Sequence, residues 1–166
     1  MGKTIQICVI SDNHGRMEPI EYINRTYGAC DYRFHLGDSE MPRSFLLGFA
    51  CVRGNNDYSD EYPEKLILPI GSHRFLLTHG HRSLLFHDPA PLAAYAQRNK
   101  CDVVCYGHTH VYNDTVIDGI RMLNPGSIGR NRDGSEPSYM ILTLFEDGSI
   151  KAIRQTYHNP ISKFPF

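Results

Sequence analysis

Short apolar runs of strand length recur along this chain, and one after another they break off at a glycine or polar turn. Ile5 to Ile10 runs into Ser11-Asp12-Asn13-His14-Gly15, Tyr32 to Leu36 into Gly37-Asp38, and Ala50 to Arg53 into Gly54-Asn55-Asn56-Asp57. Phe75 to Thr78 runs into His79-Gly80-His81, and Val103 to Tyr106 into Gly107-His108-Thr109-His110. Unbroken apolar runs of this length read as strands covered on both faces. Three segments between them carry helical patterning: Met17 to Tyr27, Pro42 to Phe49, and Pro91 to Lys100, the last with Leu92, Tyr95 and Ala96 on one face. In open α/β sheets, sites form beyond the carboxyl ends of the strands, where glycine lets the backbone turn sharply. Five strand ends bearing Asp, Asn or His therefore point to one site as well as to a layered fold.

A further strand is expected over Leu66 to Ile70, and later turn signals mark hairpins at Gly71-Ser72, Asp118-Gly119 and Asp147-Gly148. The last of these joins Met140 to Phe145 with Ile150 to Arg154. Strand and helix alternate early and strands pair late, which predicts an α/β protein with two sheets, the second largely antiparallel. The 166 residues suit a single domain, 1–166, with no repeat or linker. The tail from His158 to Phe166 is expected along the surface.

Charged residues at 21% and hydrophobic ones at 41% are ordinary for a globular protein, and a net charge of −1 gives no case for nucleic acid or an anionic membrane as partner. No apolar stretch approaches the ~18 residues of a membrane span. The opening MGKTIQICVISDNHG reads as a first strand rather than a signal peptide, and Gly2 does not make a convincing myristoylation site. Five cysteines, several inside apolar runs, fit a reducing, cytoplasmic setting. Cys101 and Cys105 lack the second pair that a thiolate metal site needs.

Asp12, His14, Asp38, Asn55, His79, His108 and His110 make a set of two carboxylates, one amide oxygen and four imidazoles. One ion cannot use seven such ligands; two ions sharing a carboxylate can. Mixed nitrogen and oxygen ligation without thiolate favours Mn²⁺, with Ni²⁺, Fe²⁺ or Zn²⁺ as alternatives, over Ca²⁺ or Mg²⁺. The excess positive charge would stabilise a bridging hydroxide and attract an anionic oxygen such as phosphate. The i, i+2 spacing of His108 and His110 would by itself let both rings face one object.

The ordered blocks SDNHG, GD, GNND, THGH and GHTH resemble those of the calcineurin-like metallophosphoesterase superfamily, and of its small single-domain YfcE-type phosphodiesterase branch. The resemblance spans Ile5 to the final hairpin and includes the loop Asn124-Pro125-Gly126-Ser127. It implies a two-sheet β-sandwich flanked by helices, a four-layer αββα fold. It assigns Asp12, His14 and His110 to one metal and Asn55, His79 and His108 to a second, with Asp38 bridging. It further implies hydrolysis of a small phosphoester, a phosphodiester ahead of a monoester, by a metal-bridging hydroxide, with Asp38 and Asn55 in the catalytic centre.

Many superfamily enzymes carry a general-acid histidine directly after the ligand Asn; Asn56 stands there, and an amide is no useful acid. His81 is the candidate replacement. Asn13 is a non-ligand position where little consequence is expected. His35 is expected to be buried beside the ligands or in the core, Asp57 either orients a ligand or its loop or serves the turn alone, and Arg130 and Arg132 follow the loop either to meet a substrate phosphate or as solvated side chains. His73, His87 and His158 are expected at the surface. Ser127 has no base and is rejected as a nucleophile. The competing reading is a catalytically weak scaffold, like the retromer subunit built on this fold; ligand loss would mark it, and all seven positions are filled. A metallo-β-lactamase would need Asp-His where Val111-Tyr112 stand, and an amidohydrolase barrel a chain of about 250 residues. A homodimer is the default assembly.

Overall fold

The computed structural model describes residues 2–58, 61–82 and 88–158. Its elements run β1 (Ile5–Ile10), α1 (Met17–Tyr27), β2 (Tyr32–His35), β3 (Phe49–Cys51), β4 (Lys65–Ile70), β5 (His73–Thr78), α2 (Ala90–Arg98), β6 (Val103–Cys105), β7 (Tyr112–Ile117), β8 (Ile120–Pro125), β9 (Ser138–Leu144) and β10 (Ile150–Thr156). Two five-stranded sheets result, ordered β10-β9-β1-β2-β3 and β4-β5-β6-β8-β7.

The apolar runs are unbroken because both faces of the central strands are covered. In β1, Ile7 and Val9 face the space between the sheets while Cys8 and Ile10 face α1. In the second sheet Phe75, Leu77, Val103 and Cys105 face inward while Leu76 and Val104 pack with Leu92, Ala93 and Ala96 of α2. Helix α1 supplies Ile20 and Ile23, three residues apart, to the outer face of the first sheet. The layers are thus helix, sheet, sheet, helix, as the family resemblance implies. Each fully buried Ile, Leu or Phe removes enough apolar surface from water to contribute about 1.5–3 kcal/mol.

Three expectations need correction. The second sheet is mixed: β5, β6 and β8 run parallel, and only the outer pairs β4–β5 and β7–β8 are antiparallel. Helix α2 carries the chain back over the sheet between β5 and β6, which makes that pair parallel, and the late hairpin β9–β10 joins the first sheet beside β1. Residues Pro42 to Phe49 do not form an α-helix but one 3₁₀ turn, Arg43–Phe45. Leu46 caps it, and Gly48, at φ +87°, turns the chain just before Phe49 enters β3. His73 is also half-buried rather than free at the surface: its Nδ1 lies 2.6 Å from Asp102 Oδ2 and its Nε2 donates to the carbonyl of Gly148 at 2.7 Å, tying the β9–β10 turn to the second sheet. His158 is exposed; His87 and residues 159–166 of the tail lie outside the described residues. Cys101 and Cys105 are buried in different apolar clusters.

Candidate metal centre

Strands β1, β2 and β3 are mutually parallel, and so are β5, β6 and β8. Their carboxyl ends place the loops with the ligand candidates along one edge of the sandwich. All seven predicted ligands meet there. Asp12 Oδ1 lies 3.2 Å from His110 Nε2 and 3.7 Å from His14 Nε2, and those two ring nitrogens are 3.1 Å apart. Beside them, Asn55 Oδ1 is 3.0 Å from His79 Nε2 and 3.1 Å from His108 Nδ1. Asp38 Oδ2 lies between the groups, 3.9 Å from His14 Nε2 and 3.4 Å from His79 Nε2. Asp12 Oδ1 also comes within 3.8 Å of His79 Nε2, so both carboxylates touch both groups. His108 and His110, two residues apart, reach different groups because each has a left-handed backbone, φ +73° and +58°.

That backbone state is concentrated here. Among the described residues, six of the eight non-glycine residues with positive φ are Asp12, His14, Asp38, Glu40, His108 and His110. Such conformations are disfavoured for non-glycine residues and persist where the surroundings over-determine them. Glycines make room: a Cβ on Gly37, itself at φ +102°, would lie 2.7 Å from His79 Nδ1, and one on Gly107 would lie 2.9 Å from Asp12 Oδ2.

The outward ring nitrogens are anchored. His79 Nδ1 donates to the Leu36 carbonyl at 2.7 Å and His110 Nδ1 to the Arg130 carbonyl at 3.1 Å, while His14 Nδ1 pairs with Glu40 Oε1 at 2.9 Å. A carbonyl only accepts, so in His79 and His110 the Nε2 lone pairs are turned toward the carboxylates, the arrangement usual for metal-binding imidazoles. Asp12 is wholly buried; its Oδ2 accepts from Ser11 Oγ at 2.6 Å and from the His108 amide at 3.2 Å, but Oδ1 has no hydrogen-bond partner. A buried carboxylate oxygen without a donor, facing imidazole lone pairs, fits a cation. Asp12, His14 and His110, and again Asp12, Asp38 and His79, each offer ligand atoms within 4.8 Å of one another.

The carboxylates and imidazoles also shift one another's protonation. Burial raises the Asp38 carboxyl, but the hydrogen bond and charge of His79 and two donors from Asn56 outweigh it and hold it well below the usual carboxylate range. Asp12 is likewise lowered against its burial, chiefly by His110 and His79. His79 is held above its ordinary value, since contact with Asp38 and the charges of Asp12 and Asp38 overcome burial. Burial and the neighbouring His79 bring His108 down to about 4.

Around the ligands, Asp57 accepts backbone N–H bonds from Asp38, Gly54 and Glu40, each at 2.8 Å, and so orients its loop. His35 is fully buried, as expected. Its Nε2 donates at 2.7 Å to Oδ1 of Asn13, which thus has a structural part that its non-ligand position did not suggest. Asn56 donates from its amide to Asp38 Oδ2 at 2.9 Å and from its backbone to Asp38 Oδ1 at 2.8 Å. Ser127 is buried, its hydroxyl donating to the Asp12 carbonyl at 2.7 Å, which suits a structural role and not a nucleophile. His81 has its ring centroid 5.5 Å from that of His79 and a buried Nδ1 without a partner among the described residues. Sequence reasoning missed Glu40, Ser11, Asn124 and Asn131. Glu40, a carboxylate two residues after Asp38, and Ser11, which donates to the adjacent Asp12, were visible in principle; Asn124 and Asn131 bond loop backbone in no periodic pattern.

The family model for the calcineurin-like phosphoesterase superfamily domain matches residues 5–147. The probable metallophosphoesterase YsnB of Bacillus subtilis is 35% identical over 148 residues, covering 87% of this chain and 88% of that protein. A structure from Streptococcus pneumoniae described as a predicted phosphoesterase superposes with a TM-score of 0.80 at 30% identity, over 93% of this chain and 100% of that one. More distant structures share the fold: Vps29 from Entamoeba histolytica, TM-score 0.71 at 24% identity over 93% and 100% of the chains, and an archaeal phosphodiesterase, TM-score 0.66 at 23% over 91% and 100%. The chain belongs to the calcineurin-like phosphoesterase superfamily.

Proposed function

We propose that the chain is a phosphodiesterase that works with two divalent cations, Mn²⁺ first among them, on a small phosphoester substrate. Asp12, His14 and His110 would hold one ion, Asn55, His79 and His108 the other, and Asp38 would contribute to both. The observation that carries this reading is a buried Asp12 Oδ1 without a hydrogen-bond donor, with ring nitrogens of His110, His14 and His79 at 3.2, 3.7 and 3.8 Å from it. Divalent ions there supply Lewis acidity toward a water nucleophile and a phosphoryl oxygen, the chemistry of in-line phosphoester hydrolysis.

The chain's own residues do the rest. Asn56 and His79 keep Asp38 anionic, so the site stays charged at neutral pH. Outward anchors at Leu36, Arg130 and Glu40 fix three imidazoles before any ligand arrives. With an amide at Asn56, protonation of the leaving oxygen falls to His81, whose buried Nδ1 lacks a partner among the described residues, or to water. Weak protonation favours diesters with good leaving groups.

A scaffold function draws support from the shared fold of Vps29, but a filled ligand set favours hydrolysis. No described helix is long and apolar enough to cross a membrane, and five free cysteines suit a reducing cytoplasm. The test is hydrolysis of bis(p-nitrophenyl) phosphate by Mn²⁺-loaded protein, with elemental analysis of the same preparation. Turnover abolished by chelation and restored by Mn²⁺ is expected. Absence of turnover across a diester and monoester panel, with metal bound, would replace the hydrolase by the scaffold.

A further inference from the structure

The candidate metal centre opens on one side into a cleft of about 700 Å³, with His14 and His110 at its inner end and Arg130, Asn131, Arg132 and Ser135 along its wall. That volume lies in the range of pockets for drug-sized ligands, far more than one phosphoryl group occupies. No carboxylate lines it, and among the described residues none pairs with Arg130 or Arg132. Asp133 of the same loop accepts from the Ser135 amide and hydroxyl instead, so the lining itself carries two guanidinium groups and no carboxylate.

The wall is also rigidly placed. Ser127 Oγ accepts the amides of Gly129 and Arg130 at 3.0 and 2.8 Å while donating to the Asp12 carbonyl. Asn131, buried, accepts the Ser127 amide at 2.7 Å and donates to the Glu136 carbonyl at 2.7 Å. The Arg132 amide donates to the His110 carbonyl at 2.9 Å, and its Nη1 lies 3.5 Å from the His108 carbonyl. The loop bearing both guanidinium groups is thus bolted to the loops bearing Asp12, His108 and His110. A second hollow, lined by Glu40, Met41, Asn56, Tyr58, Glu61 and Tyr62, carries carboxylates instead of guanidinium groups. The guanidinium groups make the first cleft the better match for an anionic substituent.

Building on the proposed hydrolysis, we infer that the substrate is a phosphodiester with a second phosphate on one arm, and that Arg130 and Arg132 determine specificity by binding it. Guanidinium groups suit this task because their fork of donors matches phosphate oxygens and their charge is permanent. A preplaced loop loses little entropy on binding.

Two thymidine substrates test this on the full, Mn²⁺-loaded chain: the 5′-(p-nitrophenyl phosphate) diester, and the same compound with an added 3′-phosphate. Scissile bond and leaving group are identical, and hydrolysis releases p-nitrophenolate from both. The 3′-phosphorylated substrate should show kcat/KM higher by about tenfold or more, the range of a charge-assisted pair. In the R130Q/R132Q variant that ratio should fall toward one, with unchanged Tm, and it should shrink with added salt. Calorimetric titration of metal-loaded protein with thymidine 3′,5′-bisphosphate against thymidine 5′-monophosphate asks the same question without turnover. If neither ester is hydrolysed yet the bisphosphate binds tenfold more tightly through the arginines, the hydrolase reading fails and the second-phosphate site stands. Equal binding and equal kcat/KM, or a preference that survives R130Q/R132Q, would overturn it.

Discussion

Asp57 illustrates how much of the site depends on a residue that touches no substrate. Its carboxylate, 4% exposed, is the common acceptor for the amides of Asp38, Gly54 and Glu40. Asp57→Ala strands three donors, and each buried donor left unpaired costs about 1–3 kcal/mol. Asn55 is exposed and Asn56 half-buried, so water reaches part of the loop and the lower end applies, about 3 kcal/mol in all. For a chain of this size that corresponds to a Tm lower by about 6–12 °C. Asp57→Asn keeps one acceptor oxygen and should lose about half as much. Urea unfolding in the presence of chelator measures the protein without metal linkage; the midpoint should fall while the slope stays constant. Asp57→Ala should also weaken metal binding by about 10–100-fold in calorimetry, because the amides it holds belong to Asp38 and to the residue before Asn55. A stability within about 0.5 kcal/mol of wild type, or intact metal affinity, would refute the argument.

Three further outcomes are expected. Asp38→Asn should remove turnover and weaken both ions; elemental analysis showing two tightly held metals would exclude sharing. Asn56→His should raise turnover of esters with poor leaving groups, even though it gives up an amide bond to Asp38; an unchanged leaving-group dependence would count against a missing acid. His35 accepts the Gly37 amide at Nδ1 and donates from Nε2, so its folded form is neutral, and burial brings it down to about 4. Its contribution, up to about 3 kcal/mol, is present above pH 6.5 and lost as pH falls toward 4, since the unfolded chain takes up the proton first. His79, whose value is raised, acts in the opposite sense, so the measurement is the difference in chelated protein between wild type and His35→Gln. Equal pH slopes in the two would exclude the assignment.

The layered fold and all seven ligand candidates were legible in the sequence because they obey local rules. Strands covered on both faces leave unbroken runs such as Ile5 to Ile10, and parallel strands deliver their carboxyl-end loops to one edge. What escaped depends on tertiary pairing. The run from Pro42 to Phe49 has helical composition, but Gly48 and the pull of Phe49 into β3 override it. Nothing local told whether β9 and β10 would join the first sheet or the second, so the second was expected to be more antiparallel than it is. His73 looked like any polar residue at a turn, and only its meeting with Asp102 and Gly148 gives it work to do. Asn13, Asn124 and Asn131 escaped for the same reason: Asn13 meets the His35 ring, Asn124 the Gly107 carbonyl and Asn131 the Glu136 carbonyl across its own loop, contacts that carry no periodic signature.

The two sheets contribute unequally but jointly to the ligand set: Asp12, His14, Asp38 and Asn55 leave the first, and His79, His108 and His110 leave the second. Neither slab alone can close a coordination shell. Cations bound at this edge would act as rivets through a seam, so that affinity for metal becomes resistance to one slab sliding over the other. The Phe34–Phe75 ring contact, centroids 6.0 Å apart within the sandwich, sets the same alignment from inside. Core packing and grip on the ions are then two readings of a single offset between slabs, and a substitution deep in the seam is felt at its rim.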